Sequence, residues 1–168
     1  MASRRTPLGT GEEWRIGDTL EAAVGRSTSA FTPLQMAEYC AAIANKGLRY
    51  SASILGSVTD RDGNTRYTRQ PQITGSVLDE KEQNANWDVI HQGMYAALND
   101  QAVNSANASH WQDCPWQVAG MANKGLFMGY APYEDPQVAI FVVTENAERR
   151  ASQQIARQLL DFYIEKST

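Results

Sequence analysis

Three residues that could do chemistry crowd into the segment His110-Trp111-Gln112-Asp113-Cys114. An imidazole, a carboxylate and a thiol are the groups from which a thiol hydrolase builds its base, orienting acid and nucleophile. The spacing argues against that use, because such sites assemble groups distant in sequence and these share one short loop. His110 and Cys114 could also ligate a transition metal, but no Cys-x-x-Cys and no second His-Cys pair completes a set of four. Neither a metal site nor a cofactor is expected. Ser27, Ser29, Ser105 and Ser109 offer hydroxyls, yet none has a lysine or histidine placed to activate it, and surface or turn serine is the expected role. Trp111 and Trp116 flank Pro115 and could stack on a sugar ring, although tryptophans beside a strand more often cover a core. His91 falls at the margin of the apolar stripe that holds Ile90 and Met94, where a packed or half-buried histidine is expected. Residue type and spacing therefore assign no catalytic, cofactor-binding or metal-binding residue.

The polypeptide that must position these groups has 168 residues, enough for one hydrophobic core and too few for two. A single domain over 1–168 is expected, with residues 1–13 flexible. Charged residues make up 20% and hydrophobic residues 42%, the balance of a globular protein that folds. The net charge of −4 leaves no electrostatic footprint for nucleic acid or an anionic membrane, and the Arg4-Arg5 pair is balanced by Glu12-Glu13. Two cysteines, Cys40 and Cys114, make no disulfide framework. No apolar run approaches the roughly 20 residues that span a bilayer, and residues 1–20 lack the apolar centre of a signal peptide, so the sequence as given reads as soluble.

Local signals divide the sequence into elements. Thr32-Pro33-Leu34-Gln35 is a helix start: Thr32 can cap, Pro33 suits the first helical position and Gln35 can return a bond to Thr32. Met36, Cys40, Ile43 and Ala44 continue the apolar stripe until Lys46-Gly47 stops it. Arg49 to Thr59 and Thr65-Arg66-Tyr67 read as a hairpin about the turn residues 60–64, after which Pro71 and Gly75 break the pattern. A second helix is expected from about Asp79 to Leu98, with Trp87, Ile90, Met94 and Leu98 at helical spacing. Asn99 to Pro115, crowded with Asn, Ser, Ala and Gln, reads as a long exposed connection. Trp116 to Ala119 and Leu126 to Tyr130 are expected as short strands around Asn123-Lys124-Gly125. Val138 to Thr144 is expected as a strand buried on both faces. A closing helix from Ala151 to Glu165 places Ile155, Leu159, Phe162 and Tyr163 on one face. This order predicts an α+β fold, a small antiparallel sheet packed with helices.

Several words in this sequence, in this order, resemble the transpeptidase domain of class B penicillin-binding proteins, the enzymes that cross-link peptidoglycan. They are Gly17-Asp18-Thr19-Leu20, Thr32-Pro33-Leu34-Gln35, Ala42-Ile43-Ala44-Asn45, Gln92-Gly93-Met94 and Gly129-Tyr130-Ala131-Pro132. Trp14, Ala22-Ala23-Val24-Gly25, Tyr50 and Val58-Thr59-Asp60-Arg61-Asp62-Gly63 extend the similarity over nearly the whole length. The resemblance is to the C-terminal part of that domain, and it implies part of the penicillin-binding and β-lactamase-like transpeptidase fold. It also implies a covalent mechanism, in which a serine assisted by a lysine three residues later attacks a D-Ala-D-Ala peptide or a β-lactam.

The sequence departs from that chemistry. No serine is followed at three residues by lysine. Ser105-Ala106-Asn107 matches a Ser-x-Asn motif in form but follows the Gly-Asp-Thr segment, whereas the family's motif precedes it. Lys-Thr-Gly should follow Val118-Ala119-Gly120, and Met121-Ala122-Asn123 stands there instead. Only eight residues separate Gly120 from Gly129, so the strand that would carry that motif and pair with substrate is expected to be excised. Gly25-Arg26-Ser27 replaces the family's usual Gly-Gln.

Three functional readings follow: a non-catalytic portion of a transpeptidase domain; one piece of a D,D-transpeptidase made of two polypeptides, whose partner carries the serine; or an unrelated hydrolase using Cys114 and His110. The resemblance places the family's activity on the outer face of the bacterial cytoplasmic membrane. It implies a peptidoglycan peptide or β-lactam as ligand only if the site is completed. Expected partners are a second copy or a complementing polypeptide at an open sheet edge along Val138 to Thr144, because in the family that strand pairs with strands of the N-terminal half. No nucleic acid and no membrane segment are expected.

Overall fold

The computed structural model describes residues 16, 17, 19, 31–77, 83–123, 125–145 and 150–167. The flexible end expected over 1–13, the segments at Trp14, 22–25 and 25–27, Ser27 and Ser29 lie outside them. So do Asp18, Leu20, the helix start expected at Asp79 and Lys124. Two compact units make up the protein, Met1–Thr32 and Pro33–Thr168. Ile16, Gly17 and Thr19 in the first are helical.

The second unit opens with helix α1, Pro33–Ala44, which begins at the expected Thr-Pro signal and buries Cys40, Ala42, Ile43 and Ala44. Its end is the expected Lys-Gly stop. The Lys46 N–H donates to Ile43 O (2.9 Å) and the Gly47 N–H to Ala42 O (2.7 Å), satisfying carbonyls the helix leaves open. Gly47 has φ +98°, and a Cβ there would come within 2.9 Å of the Trp87 ring, so both backbone and space require glycine.

A long antiparallel ribbon follows. Strands β2 (Ser57–Thr59) and β3 (Thr65–Thr68) form the expected hairpin. The Asp60 carboxylate organises its turn by accepting the Asp62 and Asn64 N–H groups and Arg66 Nε. The ribbon runs further than the sequence suggests, because β4 (Ile73–Ser76) returns to pair with β1 (Leu48–Tyr50). Gly75 thus lies inside a strand instead of breaking one. The Arg49 guanidinium covers the space its missing side chain leaves.

Helix α2, Gln83–Asn99, points Leu98 inward and packs His91 as expected, whereas Ile90, expected on the apolar stripe, is 43% exposed. A polar bond decides the rotation: His91 Nε2 lies 2.8 Å from the Ile43 carbonyl in the last turn of α1. A carbonyl can only accept, so Nε2 carries the proton.

The connection expected over 99–115 is largely helix α3, Gln101–Trp111, with Asn107, Ala108 and Trp111 buried. Asp100 caps it, its carboxylate accepting the Ala102 N–H at 2.7 Å. Its Asn and Ser residues read as loop signals, yet here they bond locally: Asn104 Oδ1 accepts the Asn107 N–H, and Ser109 Oγ donates to Ser105 O. A break at Asn104 (φ −156°, ψ 86°) interrupts the helical period and hides it from pattern reading.

The central sheet has strand order β5-β6-β7, all antiparallel: Ala119–Asn123, Leu126–Ala131 and Val138–Val143. The strand expected to be excised is present as β5, with Gly120 directly opposite Gly129 and a turn of only two residues. Gly125, at φ +68°, makes that turn short enough, and its carbonyl accepts both the N–H and the hydroxyl of Thr144. The strand buried on both faces is β6, not β7. Among the described residues β7 has a neighbour on one side only, and its residues are half-buried or, at Val143, 51% exposed.

Alternate residues of the sheet feed two cores. On one face Ala119, Met128, Tyr130, Ala139 and Phe141 meet Cys40, Ile43 and Ala44 of α1 with Met94 and Trp87 of α2. On the other, Phe127, Ala131, Ile140 and Val142 meet Leu98, Trp111 and helix α4, Ala151–Ser167. α4 turns a different face inward from the one expected. Ser152, Gln153, Ala156, Leu160 and Ile164 are buried, whereas Ile155, Leu159, Phe162 and Tyr163 are 40–59% exposed. Small Ser152 and Ala156 let the helix approach the sheet, and Gln153 gains a bond from buried Trp111. The architecture is α+β, as the sequence predicts.

Candidate functional site

His110 lies in the last turn of α3 and Cys114 in the loop that follows, which Arg157 ties to α4. The guanidinium donates to the carbonyls of His110 (3.2 Å) and Asp113 (2.7 Å). Burial pushes the Cys114 thiol up, so near neutrality it keeps its proton, and burial holds the His110 imidazole below its ordinary value. A protonated thiol beside a neutral imidazole is a poor nucleophile. The other cysteine is further from reactivity: burial pushes Cys40 up to about 12, and its Sγ donates to Gly129 O at 3.1 Å. Among the described residues no cluster of three His, Cys, Asp or Glu could hold a metal ion.

The other candidates resolve into packing. Trp111 is 2% exposed, stacked on Phe127 at 5.2 Å, with Nε1 donating to Gln153, so it forms no sugar platform with Trp116. Ser109 spends its hydroxyl on the Ser105 carbonyl. Ser105-Ala106-Asn107 lies at the break of α3, where buried Asn107 bonds the Ala97 carbonyl and Gln153.

The feature that bears on transpeptidase chemistry is β5. Met121, Ala122 and Asn123 occupy its second half, directly after Gly120. Gly120 and Gly129 let β5 and β6 approach closely: a Cβ on Gly120 would meet Gly129 Cα at 2.8 Å. Asn99 Nδ2 fixes the entry to the strand by donating to the carbonyls of Tyr95 and Val118, both at 2.8 Å. The strand is thus a built element, and beyond Gly120 it carries Met121, Ala122 and Asn123.

Sequence reading missed a polar cavity of about 110 Å³ between α3, the end of β5 and the start of α4. Asn104, Asn107, Asn123, Arg150 and Gln153 line it together with two alanines. The signal that could have found it is Asp100 four residues before Asn104, a capping residue inside the stretch that reads as loop.

Among the described residues no helix is long and apolar enough to cross a membrane. Residues 8–161 match the family described as the penicillin binding protein transpeptidase domain. The peptidoglycan D,D-transpeptidase MrdA of Haemophilus influenzae is 24% identical over 177 residues, covering 90% of this chain and 26% of its own length. The MrdA of Acinetobacter baumannii is 27% identical over 168 residues, covering 90% and 25%. Penicillin-binding protein 2B of Streptococcus pneumoniae has the same fold, with a TM-score of 0.74 at 20% identity over 92% of this chain and 28% of that one. The protein thus spans about a quarter of the length of the curated relatives it matches. This lineage leaves no room for an unrelated Cys/His hydrolase. With a family match over nearly its whole length and the fold to accompany it, the protein belongs to the penicillin binding protein transpeptidase domain family.

Proposed function

We propose that this protein is scaffold from a transpeptidase domain of the peptidoglycan-synthesis lineage and does not by itself carry out acyl transfer. One observation carries the reading: no serine is followed at three residues by lysine, and Met121-Ala122-Asn123 stands on β5 where Lys-Thr-Gly would follow Gly120. A serine hydroxyl is a weak nucleophile until an adjacent base takes its proton, and the oxyanion formed on attack needs fixed donors or a cation. The sequence encodes the strand without those groups. Its relatives are named for D,D-transpeptidase activity and penicillin binding. Here a peptidoglycan peptide or β-lactam becomes a ligand only when another polypeptide completes the site. Incubation with a fluorescent penicillin, followed by intact-mass spectrometry, should leave the protein unmodified; a stoichiometric adduct would overturn the reading.

A second reading, one piece of an enzyme made of two polypeptides, is favoured by the outer edge of β7. The Thr144 N–H on Gly125 O sets the alternation of the ladder, so Ala139, Phe141 and Val143 turn their backbone groups away from β6. Helix α4, packed over β6 and β7, adds the exposed side chains of Ile155, Leu159 and Phe162. An edge of this kind accepts a complementing strand or a second copy. Sedimentation velocity at micromolar concentration distinguishes them: a monomer alone removes the homodimer. Recovery of penicillin labelling on mixing with a polypeptide that carries Ser-x-x-Lys would support the two-piece enzyme.

A further inference from the structure

We propose that the cavity between α3, the end of β5 and the first turn of α4 is a binding site for a small oxyanion, specifically a carboxylate. The polarity of its hydrogen bonds carries the proposal. Trp111 Nε1 can only donate, so the Gln153 atom that faces it at 3.0 Å is Oε1. Gln153 Nε2 therefore points to Asn107 at 3.1 Å, and the atom it meets is Oδ1. That leaves Asn107 Nδ2 toward the Ala97 carbonyl at 3.3 Å, which can only accept, so the assignment closes from both ends. The Asn107 N–H likewise fixes Oδ1 of Asn104 at 3.2 Å.

Each of these three side-chain amides thus spends its oxygen inside the protein. The amide hydrogens these bonds leave over are two on Asn104 Nδ2, one on Asn107 and one on Gln153, and Asn123 adds a fourth amide to the lining. Asn107 and Gln153 are 8% and 4% exposed, so these donors are held in place by the core. Arg150 adds a cation at the rim, directly before the 17-residue helix α4, and no carboxylate side chain lines the cavity among the described residues. With the Arg150 guanidinium and these N–H groups, donors outweigh acceptors in the lining, which suits a carboxylate and disfavours a cation. At about 110 Å³ the space admits a group of a few heavy atoms. A sugar or nucleotide needs a pocket of roughly 300 Å³ or more. The ligand is then either a small free acid or the C-terminal carboxylate of a peptide. The site lies on the face of the sheet covered by α3 and α4, and the hydrogen bonds that build it come from residues outside the 121–123 stretch where the Lys-Thr-Gly motif would stand.

The test is a titration of isotope-labelled protein at constant ionic strength, with acetate, an acetylated dipeptide and the same dipeptide with its terminus amidated, read by the side-chain amide signals of Asn104, Asn107 and Gln153. Saturable shifts with acetate and dipeptide at similar concentrations identify a free acid. Saturation by the dipeptide roughly tenfold below acetate, with its amide inert, identifies a peptide terminus. Arg150→Ala should weaken binding roughly tenfold. Asn104→Asp keeps an oxygen for the Asn107 N–H but puts a negative charge in the cavity, and should abolish binding while the backbone spectrum is retained. Absence of saturable shifts with all three probes, or unchanged binding in both variants, overturns the proposal.

Discussion

Helices α1 and α4 pack on opposite faces of the same three-stranded sheet, and only α1 turns inward the residues its sequence advertises. In α1, Cys40, Ile43 and Ala44 form the single apolar stripe and Lys46-Gly47 a single stop, so capping, periodicity and burial agree. In α4 two stripes compete. The more hydrophobic one, Ile155, Leu159 and Phe162, is on the outside, and the one that packs is built on Ser152, Gln153, Ala156, Leu160 and Ile164. Close approach and a hydrogen bond to a buried tryptophan outweigh apolar content on that face. Hydrophobicity locates a buried face only when a helix has one candidate.

The sharpest way to break this contrast is to truncate neighbouring leucines of α4. Leu160 is fully buried and Leu159 is 49% exposed. Leu160→Ala should cost about 2–5 kcal/mol of unfolding free energy, by lost burial and the cavity left behind. Leu159→Ala should cost about 1 kcal/mol or less. Urea denaturation of the two variants measures the difference. Equal losses would mean that the outward stripe is covered in solution, and α4 would then be a helix with two buried faces.

A smaller effect tests the other half of the comparison. Gly47→Ala puts a Cβ at φ +98° and within 2.9 Å of the Trp87 ring, straining the stop that ends α1. A loss of about 1–2 kcal/mol is expected from the backbone alone. The denaturation midpoint should fall without a change in slope, because the stop belongs to the same cooperative unit as the sheet. A change in slope instead would show α1 loosening separately.

What is legible in the sequence follows the same division. The Thr-Pro start of α1, the 60–64 turn and the strands β6 and β7 carry local signals that agree with the elements formed. Helix α3 is illegible because its Asn and Ser side chains read as loop formers, and only the folded protein shows them bonded to one another and to α2. Strand β5 is legible only in part: the turn at Asn123-Lys124-Gly125 carries a local signal, but counting residues between Gly120 and Gly129 does not reveal that the strand runs on to Asn123 and turns in two residues. The polar cavity needs both errors corrected before it exists, since α3 and β5 supply two of its three walls. The exposed flank of α4 is invisible for a different reason: which stripe packs depends on Trp111, more than forty residues away from Gln153 in sequence.

The smallest expected effect concerns the polar flank of α4, where Arg157 reaches the carbonyl of His110. Burial holds the His110 imidazole below its ordinary value of 6.5, with Arg157 and Arg150 adding to the effect and a backbone hydrogen bond at Gln153 opposing it. In the unfolded protein the same imidazole titrates near that ordinary value. Between the two values the unfolded state binds a proton that the folded state does not, so stability rises with pH across the interval. The contribution is complete above about pH 6.5 and is lost as the pH falls toward the folded value. His110→Gln removes the titration, so the stability difference between wild type and variant should shrink or reverse on acidification from pH 7.5 to about 5. Parallel profiles for the two proteins would mean that the imidazole is charged in place. The polar flank of α4 would then tolerate a third cation beside Arg150 and Arg157, and burial would no longer be what separates its two sides.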